Sequence, residues 1–173
     1  MTISFYDATI PTFQQILGSV THLLNKAEAH CDEQGLPHEE LVGARLYDNM
    51  QPFSYQVKST AEHSIGAIEG LRKGVFTPSL EYPPNSFEAL HERVDGAQAA
   101  LTALDPAEIN GFVGKDMCFA FKDRRTDFTA ENFIFSFSLP NFYFHATTAY
   151  DVLRMKGVKI GKMDFLGQLR AKG

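Results

Sequence analysis

Two cysteines in 173 residues are too few for a disulfide framework. Cys31 and Cys118 form no CxxC pair, so a thiolate zinc site lacks its ligands. Long apolar runs are missing too. The stretch around 133–144 is broken by Ser136, Ser138, Pro140 and Asn141, well short of the roughly 18 residues of a membrane span. There is no basic excess: the net charge is −5, and no lysine–arginine stripe offers a surface to nucleic acid. The opening MTISFYDATIPTF carries neither a basic nor an apolar leader region. The expectation is a soluble cytoplasmic protein without membrane or nucleic-acid partners. HExxH, GxSxG, the Walker-type GxxxxGK and the Rossmann glycine run are all absent, which removes the commonest signatures of zinc peptidases, hydrolases and nucleotide binders. No repeat and no low-complexity tract is present.

What remains is ordinary globular material, with 44% hydrophobic and 21% charged residues and a length that suits one domain over 1–173. Its apolar pattern is helical. Tyr6, Ile10, Phe13, Leu17, Val20, Leu24, Ala27 and Cys31 recur at three and four, the seam of one long helix. Pro11 either kinks its first turns or marks its start, and Gly35 with Pro37 ends it. Residues 35–48 read as a connection with a short turn. A second helix is expected from an Asn49 cap to Gly74, with Met50, Phe53, Val57, Ser64, Ile68 and Leu71 on one face. A proline-rich linker, 77–85, follows. Ser86 caps a third helix with Phe87, Leu90, Val94, Ala97, Leu101 and Leu104 inward, ended by Asp105–Pro106. Met117, Phe119 and Phe121 alternate with Cys118, Ala120 and Lys122, a strand period. Asp123, Arg124 and Arg125 would then turn the chain into a short return strand, 126–128. A fourth helical pattern runs from Thr129 to about Lys156, bent or divided at Pro140, with Gly157 as its stop. The fold class expected is all-α, a four-helix bundle with a small β-hairpin-like excursion before the last long helix.

The most informative string is PNFYFHATTAYDVLRMKG, 140–157. On a helix Asn141, His145, Thr148 and Val152 share a face, and the apolar Val152 turns that face inward. Buried polar groups there need partners, either a hydrogen-bonded network or a ligand. His63 lies seven residues beyond Gln56 on the second helix, on the same face but about 10 Å along the axis. His22 and His30 lack metal spacing, His38 falls in a loop, and His91 sits beside Glu88 and Glu92 on a solvated face. Phe133, Phe135, Phe137, Phe142, Tyr143 and Phe144 exceed what one helix face needs. The surplus must pack on the strand-like segment, on a second subunit, or around a small apolar ligand.

PNFYFHATTAYDVLRMKG followed by IGKMDFLG, with LYDNMQPFSYQVKSTAEH upstream, resembles a bacterial family of conserved, uncharacterised proteins within the DinB-like (DinB/YfiT) superfamily of metalloenzymes. The resemblance spans nearly the whole chain. It implies a four-helix bundle, often a homodimer, with three histidines around a divalent metal: one on the second helix and an HxxxH pair on the last. Relatives include enzymes that use low-molecular-weight thiols. Carried over, the second histidine of the pair falls on His145 and the first on Asn141. The helix-two ligand falls on Gln56, or on His63 if the register shifts by two turns. Amide oxygens are poorer ligands for zinc or nickel than imidazole, so the metal site is read as degenerate.

Three readings follow. One is a DinB-like bundle with a polar inter-helix pocket at Gln56, Asn141 and His145 that takes a small ligand, with His63 out of contact with Asn141. Another is a divalent-metal hydrolase or thiol transferase, with zinc or nickel on His145 and His63. The last is a structural dimerising protein that uses the aromatic helix.

Overall fold

The computed structural model describes residues 2–172. The architecture is mostly helical with a small three-stranded sheet. The first long helix, α1 (Phe5–Gln34), starts at Ser4, whose hydroxyl accepts the Asp7 N–H at 3.1 Å. Pro11 therefore lies inside α1 and does not mark its start. Gly35, at φ 64, ends the helix and turns its N–H back to Asp32. A short helix, α2 (His38–Val42), occupies the connection.

The second helical run begins later than an Asn49 cap would place it. Pro52 stands at the cap, and α3 covers Phe53–Ala61. A proline disfavours helical geometry in the residue before it, so Gln51 and the preceding turn stay outside. A π-helical turn, Glu62–Gly66, joins α3 to α4 (Ala67–Lys73), and Gly74 at φ 71 stops the run. Strand β1 (Val75–Phe76) comes next, an element too short to leave a period in the sequence. Ser86 caps α5 (Phe87–Thr102) through the Ala89 N–H, at 3.3 Å. Asp105–Pro106 does end that run, but it also opens another: Asp105 caps the short α6 (Pro106–Asn110).

Strands β2 (Asp116–Phe121) and β3 (Arg124–Thr129) form an antiparallel hairpin, and β1 pairs parallel to β2 with Val75 opposite Cys118. The hairpin turn is Lys122–Asp123, with Lys122 at φ 52, so Arg124 and Arg125 belong to β3 and not to the turn. The last long run comprises α7 (Ala130–Phe133), a second π-helical turn (Ile134–Ser138) and α8 (Leu139–Met155). Pro140 is accommodated at the first turn of α8, immediately after the wider turn, where its missing N–H does least harm. The short α9 (Lys162–Leu166) follows.

α1 packs on α5, α5 on α3, α3 on α8 and α8 on α1. Ile10, Phe13, Leu17, Leu24, Val57, Ile68, Leu90, Val94, Phe142 and Val152 are buried between them. Phe13 meets Phe142 edge to face, ring centres 4.9 Å apart. The aromatic surplus of the last run divides. Phe133 and Phe137 pack on Phe76, Phe119 and Phe128, joining the sheet to the helices. Phe135, Tyr143 and Phe144 stay on the surface. Among the described residues no helix is long and apolar enough to cross a membrane.

Candidate functional site

The polar residues of interest meet where α3 faces α8. His145 projects from α8, and its Nδ1 lies 2.7 Å from Gln56 Oε1 on α3. The Gln56 amide nitrogen donates to the Gln51 carbonyl at 2.9 Å, which turns the amide oxygen toward the ring. A carbonyl oxygen only accepts, so His145 Nδ1 carries the proton and Nε2 carries the free lone pair. Tyr82 completes the chain by donating to Gln51 Oε1 at 2.6 Å. Gln56 is thus an orienting partner of the imidazole.

His63 stacks on His145. The ring centres are 5.8 Å apart and the planes differ by 12°. His63 lies in the first π-helical turn, and Phe76 and Phe137 enclose it at 5.3 and 5.8 Å between ring centres. Gln56 and His63 stand two turns apart on the second run, and His145 reaches both from across the interface. The π turn that carries His63 is braced from the other π turn: Ser138 Oγ donates to the His63 carbonyl at 2.8 Å in a buried setting. Ser138→Ala removes that donor from the His63 carbonyl. It is expected to cost about 1–2 kcal/mol by urea denaturation, without loss of helix signal.

Asn141 lies one turn from His145, but its amide donates to Phe137 O at 2.7 Å on its own helix. That bond stays within α8 and the turn before it, whereas Gln56 and His63 both contact the His145 ring.

Both imidazoles are held neutral. Burial lowers His63 from its ordinary 6.5 to about 3, helped by the neighbouring His145 and by Lys58. Burial likewise lowers His145 to about 4, helped by Lys58. Lys58 itself is buried, 1% exposed. Its ammonium pairs with Glu62 at 2.9 Å, donates to Ser79 O and lies 4.9 Å from the centre of the Tyr55 ring. His63 Nδ1 is buried without a hydrogen-bond partner among the described residues.

The family described as "Domain of unknown function (DUF1993)" matches residues 5–166. The chain belongs to the DUF1993 family. A crystal structure of a DinB family member protein from Shewanella denitrificans is similar to it over 97% of this chain and 94% of that one. The TM-score is 0.82 and the identity 24%, so the likeness establishes the fold: this DUF1993 chain is DinB-like. No curated protein matches it.

A DinB-like fold raises the question of a divalent metal. The donors of this DUF1993 chain do not fit one held tightly. Asn141 turns its amide nitrogen to Phe137 O on its own helix. The Gln56 oxygen is taken by the His145 N–H. Glu62 is engaged by Lys58 and by the Ser79 N–H. The buried Lys58 ammonium acts on both imidazoles and would oppose an added cation. Among the described residues no three His, Cys, Asp or Glu side chains gather.

Three participants carry no motif in the sequence: Lys58, Glu62 and Ser138. The i,i+4 spacing of Lys58 and Glu62 signals an ion pair, but such pairs are usually solvated. Only burial distinguishes this one.

Proposed function

We propose that this DUF1993 chain is a DinB-like four-helix bundle that takes a small molecule at the His145–His63 pair, in a polar pocket between its second and last long runs, and holds no zinc or nickel there. The observation that carries this reading is the Gln56–His145 hydrogen bond. It commits Nδ1 as donor to the protein and leaves Nε2 as an acceptor for a ligand. A base whose conjugate acid dissociates near pH 4 is a weak proton abstractor at neutral pH, yet it remains a good hydrogen-bond acceptor. Binding therefore suits it better than general-base catalysis. Titration calorimetry with zinc and with nickel, on wild type and His145→Ala, tests the reading. No sub-micromolar binding that depends on His145 is expected. Such binding, lost in the variant, would return the site to a metal-dependent hydrolase or thiol transferase.

A homodimer is the second element of the proposal. Phe135, Tyr143 and Phe144 are 46%, 41% and 55% exposed on one helical run, apolar surface that a second copy would cover. Light scattering at micromolar concentration is expected to give twice the 19.3 kDa chain mass. Phe135→Ser/Phe144→Ser should give the single-chain mass. A wild-type monomer would refute the dimer.

A further inference from the structure

A cleft of about 850 Å³ opens between α1, α5 and the C-terminal segment, and it shares no residue with the imidazole pair. That volume suits a small-molecule site. α1 lines it with Gln14, Gln15 and Ser19, α5 with Gln98, and α9 and the residues after it close the other side. The C-terminal segment is pinned there by polar contacts. Gln15 donates its amide N–H to the Leu166 carbonyl at 2.9 Å, and His22 Nε2 lies 2.7 Å from Asp164 Oδ1. Gly167, at φ 61, passes so close to α1 that a β-carbon would stand 2.4 Å from Ser19 Oγ.

The hydrogen bonds of the lining fix what it can offer. Gln98 donates its amide N–H to the Gln14 carbonyl at 2.9 Å. Gln14 donates to Thr102 Oγ1 at 3.4 Å, and that hydroxyl gives its own proton to the Gln98 carbonyl at 2.8 Å. Each glutamine thus meets a carbonyl, or a hydroxyl whose proton is spent. The amide nitrogen has to face such a partner, and the amide oxygen turns away from it. Gln14, Gln15 and Gln98 are therefore set in one sense, with nitrogen on the protein and oxygen unengaged among the described residues. Asp164 differs. Its Oδ1 is taken by His22 and its Oδ2 by the Gly161 N–H at 2.7 Å.

We propose that this cleft is a second binding site, for a neutral polyhydroxylated molecule such as a sugar or a cyclic polyol. Three uncommitted amide oxygens call for a ligand that brings its own donors. A cation would find the lining carboxylate, Asp164, already engaged and the Arg170 guanidinium beside it. An anion would face the negative ends of three amide dipoles. Hydroxyl groups supply donors without charge. The C–H faces of such a molecule would rest on Pro11, Met163 and Leu169, of which Met163 and Leu169 are 62% and 55% exposed on the cleft.

The test is NMR titration of the nitrogen-15-labelled chain with glucose, trehalose and myo-inositol, and with glucose 6-phosphate and putrescine as charged comparisons. At least one neutral probe is expected to shift the side-chain amide signals of Gln14, Gln15 and Gln98, with a dissociation constant on the order of 1 mM or below. Both charged probes should bind more weakly. Gln14→Met/Gln98→Met keeps the side-chain length, removes two acceptors and should weaken binding by about tenfold or more. Gly167→Ala leaves all three amides in place but forces the C-terminal segment off Ser19, and it should weaken binding as well. The dispersion of the backbone signals shows directly that each variant is folded. No amide shift with any neutral probe up to about 50 mM overturns the proposal. So does undiminished affinity in the folded double variant, or tighter binding of a charged probe. Shifts centred on the His63 and His145 rings would move the probe to the imidazole pair and also overturn it.

Discussion

Lowering the pH from 7 toward 4 is expected to destabilise this protein by a few kcal/mol, well before its carboxylates are neutralised. The cause is the imidazole pair. In the unfolded chain both histidines take up a proton near the ordinary 6.5, whereas in the fold His145 resists to about 4 and His63 to about 3. Between those limits the unfolded chain binds more protons, so stability must fall as pH falls. The contribution is intact above about 6.5 and is lost progressively through 4 toward 3. Urea denaturation at half-unit steps of pH should show the slope. A His63→Phe/His145→Gln chain should lose most of it, since the remaining histidines sit on or near the surface. Histidine ring resonances followed by NMR should place the two midpoints near 4 and 3. A midpoint near 6.5 for either ring would contradict the burial argument.

The second large effect concerns Lys58. Lys58→Met alone strands Glu62 in a mostly buried position and is expected to cost about 3–5 kcal/mol. Lys58→Met/Glu62→Leu removes both charges and should lie within about 1–2 kcal/mol of wild type, because a buried ion pair is worth little beyond its own desolvation. The sign of the coupling is the test. Stability of wild type, both single variants and the double, measured by urea denaturation, should show the double variant more stable than Lys58→Met. A double variant as unstable as the sum of the singles would mean that the two side chains act independently, with Lys58 held chiefly by Ser79 O and the Tyr55 ring.

The helical periods at 6–31 and 87–104, the Ser86 cap, the Gly35 and Gly74 stops and the alternation at 117–121 were legible because each follows from local geometry: a 3.6-residue repeat, a hydroxyl at a helix start, a left-handed glycine, a pleat. The placement of Asn141 and His145 on one face, with Thr148 and Val152 buried beyond them, was legible for the same reason. Pro52, by contrast, overrode Asn49 as the boundary of α3, and Asp105–Pro106 both ended one helix and began another. In each case two local signals competed, and composition alone does not rank them.

Tertiary structure decided the site. About two helical turns separate Gln56 from His63, and only the approach of α8 brings one imidazole against both. The two π turns left no period to read, since a single inserted residue is a change of phase that packing selects, here with Ser138 bonding the His63 carbonyl across the interface. The one-turn spacing of Asn141 and His145 aims both at one patch, but the Asn141 amide donates to Phe137 O on its own helix. Lys58 and Glu62 look in sequence like any surface pair at i,i+4. They hold Ser79 because the linker folds back over α3, a long-range event with no local signature. Helix, turn and strand are short-range preferences written residue by residue. Burial, tautomer and the partner of each polar group depend on which surfaces meet, and that is settled only when the whole chain packs.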